Sequence, residues 1–257
     1  MLQLSIYAHS LAVVIGAAFL TWLLSLCLRN VAIVDSLWSL LFVLLACTYV
    51  LGEPRVGPRA ALVLSLILIW ALRLSIYITW RNWGQPEDRR YQAIRARNQP
   101  HFELKSLYLI FVLQALLAWI ISMPLLGASA NAGPLGVLDY VGAALWLLGF
   151  VFEAGGDWQL ARFKARADNQ GKVMDCGFWR LTRHPNYFGE FCIWWGLYLM
   201  ACAAGAWWTV PGPLVMSLLL LRVSGVTLLE KDIAERRPQY VEYVRRTNAF
   251  FPGPPKR

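Results

Sequence analysis

Apolar residues do not alternate along this chain. They run in seven blocks, roughly 5–28, 31–51, 60–80, 106–126, 136–156, 188–208 and 213–230. Each block approaches the ~20 residues that a helix needs to cross the hydrocarbon core of a bilayer. Lipid offers a peptide group no hydrogen-bonding partner, so a lone span must satisfy its own backbone as a helix. The pattern therefore predicts an all-α, polytopic membrane helix bundle of about seven transmembrane helices, forming a single transmembrane domain over 1–257. No Lys or Arg precedes the first block, and it runs too long for a cleavable signal, so it reads as a retained span.

The connections differ in chemistry. Those at 52–59, 127–135 and 209–212 are short and rich in Gly and Pro, with Arg55 and Arg59 as their positive residues. Segments 81–105 and 157–187, the C-terminal tail and Arg29 hold twenty of the 24 Lys and Arg. If seven spans alternate, those twenty share one side. The positive-inside rule then predicts an N-terminus outside and a C-terminus in the cytoplasm. The tail from Glu230 is polar and partly helical, interrupted near Pro238 and ended by Pro252, Pro254 and Pro255.

Composition agrees. The 257 residues are 58% apolar and 15% charged, against about 25% charged in soluble domains. The net charge of +9 would point to nucleic acid in a soluble chain. Here the cations alternate with apolar blocks and read as topogenic charges and headgroup contacts. The expected partner is the lipid bilayer, with no nucleic acid. Five cysteines without a C-x-x-C, and His9, His101 and His184 far apart, predict neither a disulfide framework nor a metal site.

Ionisable residues inside spans usually face a bundle interior. Asp35, Arg73, Glu153, Glu190 and Arg222 lie within or at the edges of blocks. A pair such as Asp35 with Arg73 could simply tie helices together. Glu153 and Asp157, four residues apart, share one helix face and lead into the stretch richest in chemistry, 155–190. There Arg162, Lys164, Arg180 and Arg183 suit phosphates. Asn186 can recognise an amide. Pro185 suits the first turn of the sixth span, whose free N–H groups would face an anion. The set suits a large anionic cofactor, or equally a headgroup-binding loop.

Thr182-Arg-His-Pro-Asn-Tyr-Phe-Gly-Glu190, preceded by Gly177-Phe-Trp-Arg, resembles the C-terminal signature of the steroid 5-alpha-reductase superfamily, above all its bacterial branch of undefined function. Asp35 with Trp38, Arg81-Asn-Trp-Gly, Glu87-Asp-Arg-Arg-Tyr91, and Glu230 with Tyr243 also look like that branch, so the resemblance spans roughly 31–252. The superfamily includes sterol C14 reductases and, more distantly, isoprenylcysteine carboxyl methyltransferases. Asn186, Gly189 and Glu190 fit the reductase form of the signature. Steroid reductases bind their nucleotide with an Asn and an Asp four apart, then an Arg. Here Asp157 stands at the Asp position, Glu153 replaces the Asn, and Lys164 lies near the Arg position. The Gln-Glu pair and Tyr that contact an enone carbonyl in steroid reductases have no match, the Tyr position falling near Trp70. Asp35, Tyr77, Glu87 and Tyr91 are the nearest replacements by chemistry.

The resemblance implies an NADPH-dependent reductase, in a bacterial inner membrane, of a conjugated C=C in a lipophilic, steroid- or isoprenoid-like small-molecule substrate. Cofactor contacts are expected from Glu153, Asp157, Lys164, Arg183, His184, Asn186, Tyr187, Glu190, Glu230 and Tyr243, on the cytoplasmic segments 157–187 and 230–257. Tyr91 or Glu87 is the expected acid. Two other readings stand beside it: an S-adenosylmethionine-dependent membrane methyltransferase, and a non-enzymatic seven-span transporter or receptor.

Overall fold

The computed structural model describes residues 2–223 and 239–256. Among these residues the regular structure is helical throughout, with no strand. The chain sorts into two compact units, Met1–Gly136 with Met200–Pro211, and Val137–Leu199 with Gly212–Arg257.

The first unit opens with three long helices, α1 (Leu2–Leu28), α2 (Ile33–Gly52) and α3 (Pro58–Asn82). Arg29 ends α1 in the left-handed region, φ 51°. Pro58 starts α3 at a position where its missing N–H costs nothing. The polar 81–105 segment holds a further helix, α4 (Arg89–Arg97), whose first turn is capped by Asp88 accepting from Arg90 N. A continuous helical stretch, Phe102–Ile121, follows as α5 (Phe102–Ser106), a π-turn (Leu107–Val112) and α6 (Leu113–Ile121).

The fourth block was expected over 106–126. The helix begins at Phe102 and breaks after Ile121, where Pro124 opens a new short helix, α7 (Met123–Ser129). The core of this unit is apolar and aromatic: Leu41, Phe42, Leu45, Ile67, Trp70 and Phe111 are fully buried. Tyr7 stacks on Trp119 at 4.1 Å, and Trp119 Nε1 donates to Tyr7 O. Arg59, one of the two cations on the short connections, is buried and donates to Pro134 O at 3.2 Å.

The second unit contains α8 (Val137–Lys164), α9 (Phe178–Leu181), the first part of α10 (Pro185–Ala203) and a tail helix (Gln239–Arg246). The fifth block was expected to end near 156. The helix instead runs on to Lys164, because Asp157–Lys164 contains no Gly or Pro to stop it. The seventh block begins as α11 (Pro211–Leu218) and a π-turn (Leu219–Val223), then passes into residues 224–238, outside the described ones.

Five helices are long and apolar enough to cross a bilayer: α1, α2, α3, the Phe102–Ile121 stretch and α8. Leu20, Ile76 and Leu147 on three of them are exposed, as side chains facing lipid are. The protein is an integral, multi-pass membrane protein.

Candidate functional site

In the second unit, α8 and α10 meet along small residues. Gly142, Gly149 and Gly156 recur every seven positions on α8 and are buried. A Cβ on Gly149 would stand 2.4 Å from Gly189 O, and one on Gly196 would stand 2.6 Å from Gly142 O. Pro185 packs over Gly156, 3.1 Å from where its Cβ would be. Backbones approach this closely only without side chains between them, a common device of membrane helices. The sequence carries this signal as a seven-residue glycine spacing, which charged and polar motifs alone do not reveal.

This seam fixes the acids. Glu153 and Asp157, one turn apart, are 3% and 6% exposed. Glu153 lies against Gly189. Asn186 Nδ2 donates to Asp157 Oδ1 at 3.4 Å, and its Oδ1 accepts from Tyr187 N at 3.1 Å. Glu190 follows one turn later on α10 and is half-buried. Lys164 ends α8 two turns after Asp157 and is exposed, as are Arg162 and Arg180. The structure thus brings Glu153, Asp157, Asn186 and Tyr187 together, with cations nearby in sequence on the polar end of α8 and on α9.

Other members of the signature hold the tail. Arg183 is buried, and its Nη1 donates to Val244 O at 3.2 Å and Thr247 O at 2.8 Å, closing the C-terminal end of the tail helix. Arg183 N donates to Asn248 O and Thr182 Oγ1 to Phe250 O. Tyr243 Oη donates to Trp179 O at 2.5 Å. Phe188 and Phe191 pack edge-on against Phe250 and Phe251. His184 is buried and stacks on Tyr187 at 5.6 Å. Arg183 and Tyr243 therefore anchor backbone, a role their residue types did not announce. Glu230 lies outside the described residues.

The first unit carries Glu87 and Tyr91. Glu87 accepts from Val31 N at 2.9 Å and from Arg95 Nε and Nη2, both at 2.9 Å. Partial burial pushes its carboxyl upward, but Arg95 and the Val31 N–H outweigh this and hold it below the usual range. It stays ionised and clamps the segment to the start of α2. Tyr91 Oη donates to Asp35 Oδ1 at 2.5 Å and accepts from Gln114 Nε2 at 3.3 Å. Burial, then the Asp35 carboxylate, raise the phenol well above its ordinary value. Arg90 Nη2 pairs with Asp35 Oδ2 at 2.9 Å. Asp35 thus meets Arg90 and Tyr91, while Arg73, its expected partner, lies over the Tyr77 ring at 5.4 Å.

No solved structure matches the chain at a significant level. A protein of Schizosaccharomyces pombe, described as Uncharacterized protein C594.04c, is 27% identical over 262 residues, covering 90% of this chain and 75% of that one. Residues 21–247 match the family described as Protein of unknown function (DUF1295). The chain belongs to that family, a steroid 5-alpha-reductase-like family of helical membrane proteins.

Proposed function

We propose that this protein is a membrane-embedded, NADPH-dependent reductase of a conjugated C=C in a lipophilic, steroid- or isoprenoid-like substrate, with seven spans and its C-terminus in the cytoplasm. The observation that carries the reading is the Asp157–Asn186 contact at the start of α10. An acceptor and a paired donor–acceptor sit there side by side, a set that fits a carboxamide. Lys164, Arg162 and Arg180 are exposed cations suited to the phosphates of a dinucleotide. Lys164 grips as a point charge rather than as a fork. Arg183 and Tyr243 act as positioning residues through the tail, and His184 and Tyr187 form a stacked wall.

A dihydronicotinamide held there by Asp157 and Asn186 would supply hydride chemistry toward an electron-poor alkene carbon. A proton must reach the oxygen on which charge develops. The two expected acids, Tyr91 and Glu87, both lie in the first unit and differ in protonation. The Tyr91 phenol is kept protonated by burial and by Asp35, whereas Glu87 is held ionised by Arg95.

One observation favours a second reading, a methyltransferase using S-adenosylmethionine. Glu153 and Asp157 are buried carboxylates, and these attract a sulfonium or ammonium as readily as an amide. The chain purified in detergent, heated with NADPH, NADH or S-adenosylmethionine, separates the readings. A ligand at 100 times its Kd raises stability by about 2.7 kcal/mol. Stabilisation by NADPH is expected. Stabilisation by S-adenosylmethionine alone overturns the reductase, and stabilisation by none favours a non-enzymatic transporter or receptor.

A further inference from the structure

A cavity of about 360 Å3 lies in the first unit, where α1 ends and the Phe102–Ile121 stretch begins. Ser25, Leu26 and Arg29 line it from α1; Phe102, Glu103 and Ser106 line it from the stretch. Both helices are long and apolar enough to span a bilayer, and they meet here at their polar ends. The cavity therefore sits at the level where hydrocarbon gives way to headgroups.

Its back wall is satisfied. Trp22 Nε1 donates to Glu103 O at 2.9 Å and to Ser106 Oγ at 3.2 Å, and Ser25 Oγ donates to Trp22 O. Three charged groups also line the cavity. Arg95 is held by both oxygens of Glu87 and lies over the Phe102 ring at 4.4 Å. Glu103 is 59% exposed and reaches Arg95 at only 3.4 Å. Arg29, exposed and set at φ 51°, makes no ion pair among the described residues. The charge left over is one cation and one anion. A purely anionic headgroup would meet Arg29 but face the Glu103 carboxylate. A zwitterionic headgroup answers both. Leu24, Leu28, Leu104 and Tyr108 are exposed on the same ends of the two helices and offer apolar surface to acyl chains.

We propose that this cavity seats the headgroup of a phospholipid bearing a primary ammonium, with its phosphate on Arg29 and its ammonium on Glu103. A primary ammonium can donate hydrogen bonds to a carboxylate; the quaternary ammonium of choline cannot.

Native mass spectrometry of the full chain, delipidated and titrated with phosphatidylethanolamine, phosphatidylcholine and phosphatidylglycerol, tests this. Phosphatidylethanolamine is expected to bind about tenfold more tightly than the other two, the worth of one charge-assisted hydrogen bond. Glu103→Gln should erase that preference, and Arg29→Gln should weaken all three lipids together. Both side chains are exposed, and thermal unfolding without lipid checks that the variants fold. Equal or tighter binding of phosphatidylglycerol, or an unchanged preference in Glu103→Gln, overturns the proposal. Soluble glycerophosphoethanolamine should bind at least about a hundredfold more weakly, lacking buried acyl groups. Equal binding of that compound would mark a site for a free metabolite and overturn the lipid assignment. None of these outcomes depends on the reductase reading.

Discussion

A single methyl group placed at Gly189 tests the seam between α8 and α10. Its Cβ would stand 2.4 Å from Gly149 O, 2.5 Å from Glu153 N and 2.7 Å from Glu153 Cβ. Ordinary contact begins near 3.4 Å, so the helices must part by about 3.4 − 2.4 = 1.0 Å. Two of the three obstacles are backbone atoms, which cannot rotate away. Overpacking of this kind costs about 1–3 kcal/mol.

The same displacement reaches the site. Asn186 and Asp157 are 3.4 Å apart, already at the limit of a hydrogen bond. Another ångström breaks the contact, and misplacement by about 1 Å can cost ~10²-fold in rate. Gly189→Ala should therefore lower the Tm by several degrees and also weaken the stabilisation given by NADPH. Gly16→Ala is the control, because a Cβ there meets nothing within 4 Å. It should leave stability unchanged or raise it by up to about 1 kcal/mol. Thermal unfolding of the three purified proteins, with and without NADPH, reads both effects. A Gly189→Ala protein as stable and as responsive as Gly16→Ala would refute the claim that glycine contact sets this geometry.

Three further outcomes are expected. Glu87 has a depressed folded-state pKa, so its contribution is present above the usual Glu value of about 4.3 and is lost as pH falls through the lower, folded value; Tm against pH should show that acid slope in the wild type and a flatter one in Glu87→Gln, and identical slopes would remove Glu87 as a clamp. Tyr91→Phe keeps the Arg90–Asp35 pair but removes the hydrogen bond to Asp35, so stability should fall by about 1.5–3 kcal/mol, the worth of a hydrogen bond to a charged group; an unchanged Tm would show that Arg90 alone holds Asp35. Arg183→Gln should loosen the tail, costing about 1.5–3 kcal/mol for the lost charged hydrogen bonds, and limited proteolysis should cut it faster than the wild type; an unchanged rate would place the tail's anchor elsewhere.

The first three helices were legible because lipid leaves an apolar block of about 20 residues one local structure. Helix ends were less so. Only a breaker residue encodes a stop, and the end of α8 has none until after Lys164. The 81–105 segment read as topogenic charge, yet its Asp88 cap and helix-forming Arg-rich run were visible in the chain. Its tertiary ties were not visible. Arg90 finds Asp35 across 55 positions, a pairing no local pattern encodes, while Arg73, a cation that charge alone could offer Asp35, lies over the Tyr77 ring. In the signature, residue type points to ligand binding for Arg183; its buried guanidinium also closes the tail helix, donating to carbonyls 61 and 64 positions away.

The two units treat their acids differently, and the contrast bears on function. Glu87 is gripped by the Arg95 fork and Asp35 by Arg90, so those carboxylates do the ordinary work of fastening a polar segment to a span. Glu153 and Asp157 sit on the face of α8 that already closes through Gly149 and Gly156. Glycine contact alone would hold that seam, and an apolar side chain of similar volume at either acid would hold it at least as well. Buried carboxylates in a spanning helix cost several kcal/mol each before compensation. The Asn186 amide, donating to Asp157 Oδ1, sets that carboxyl in one orientation at the start of α10, the preorganisation that the proposed recognition of a carboxamide requires.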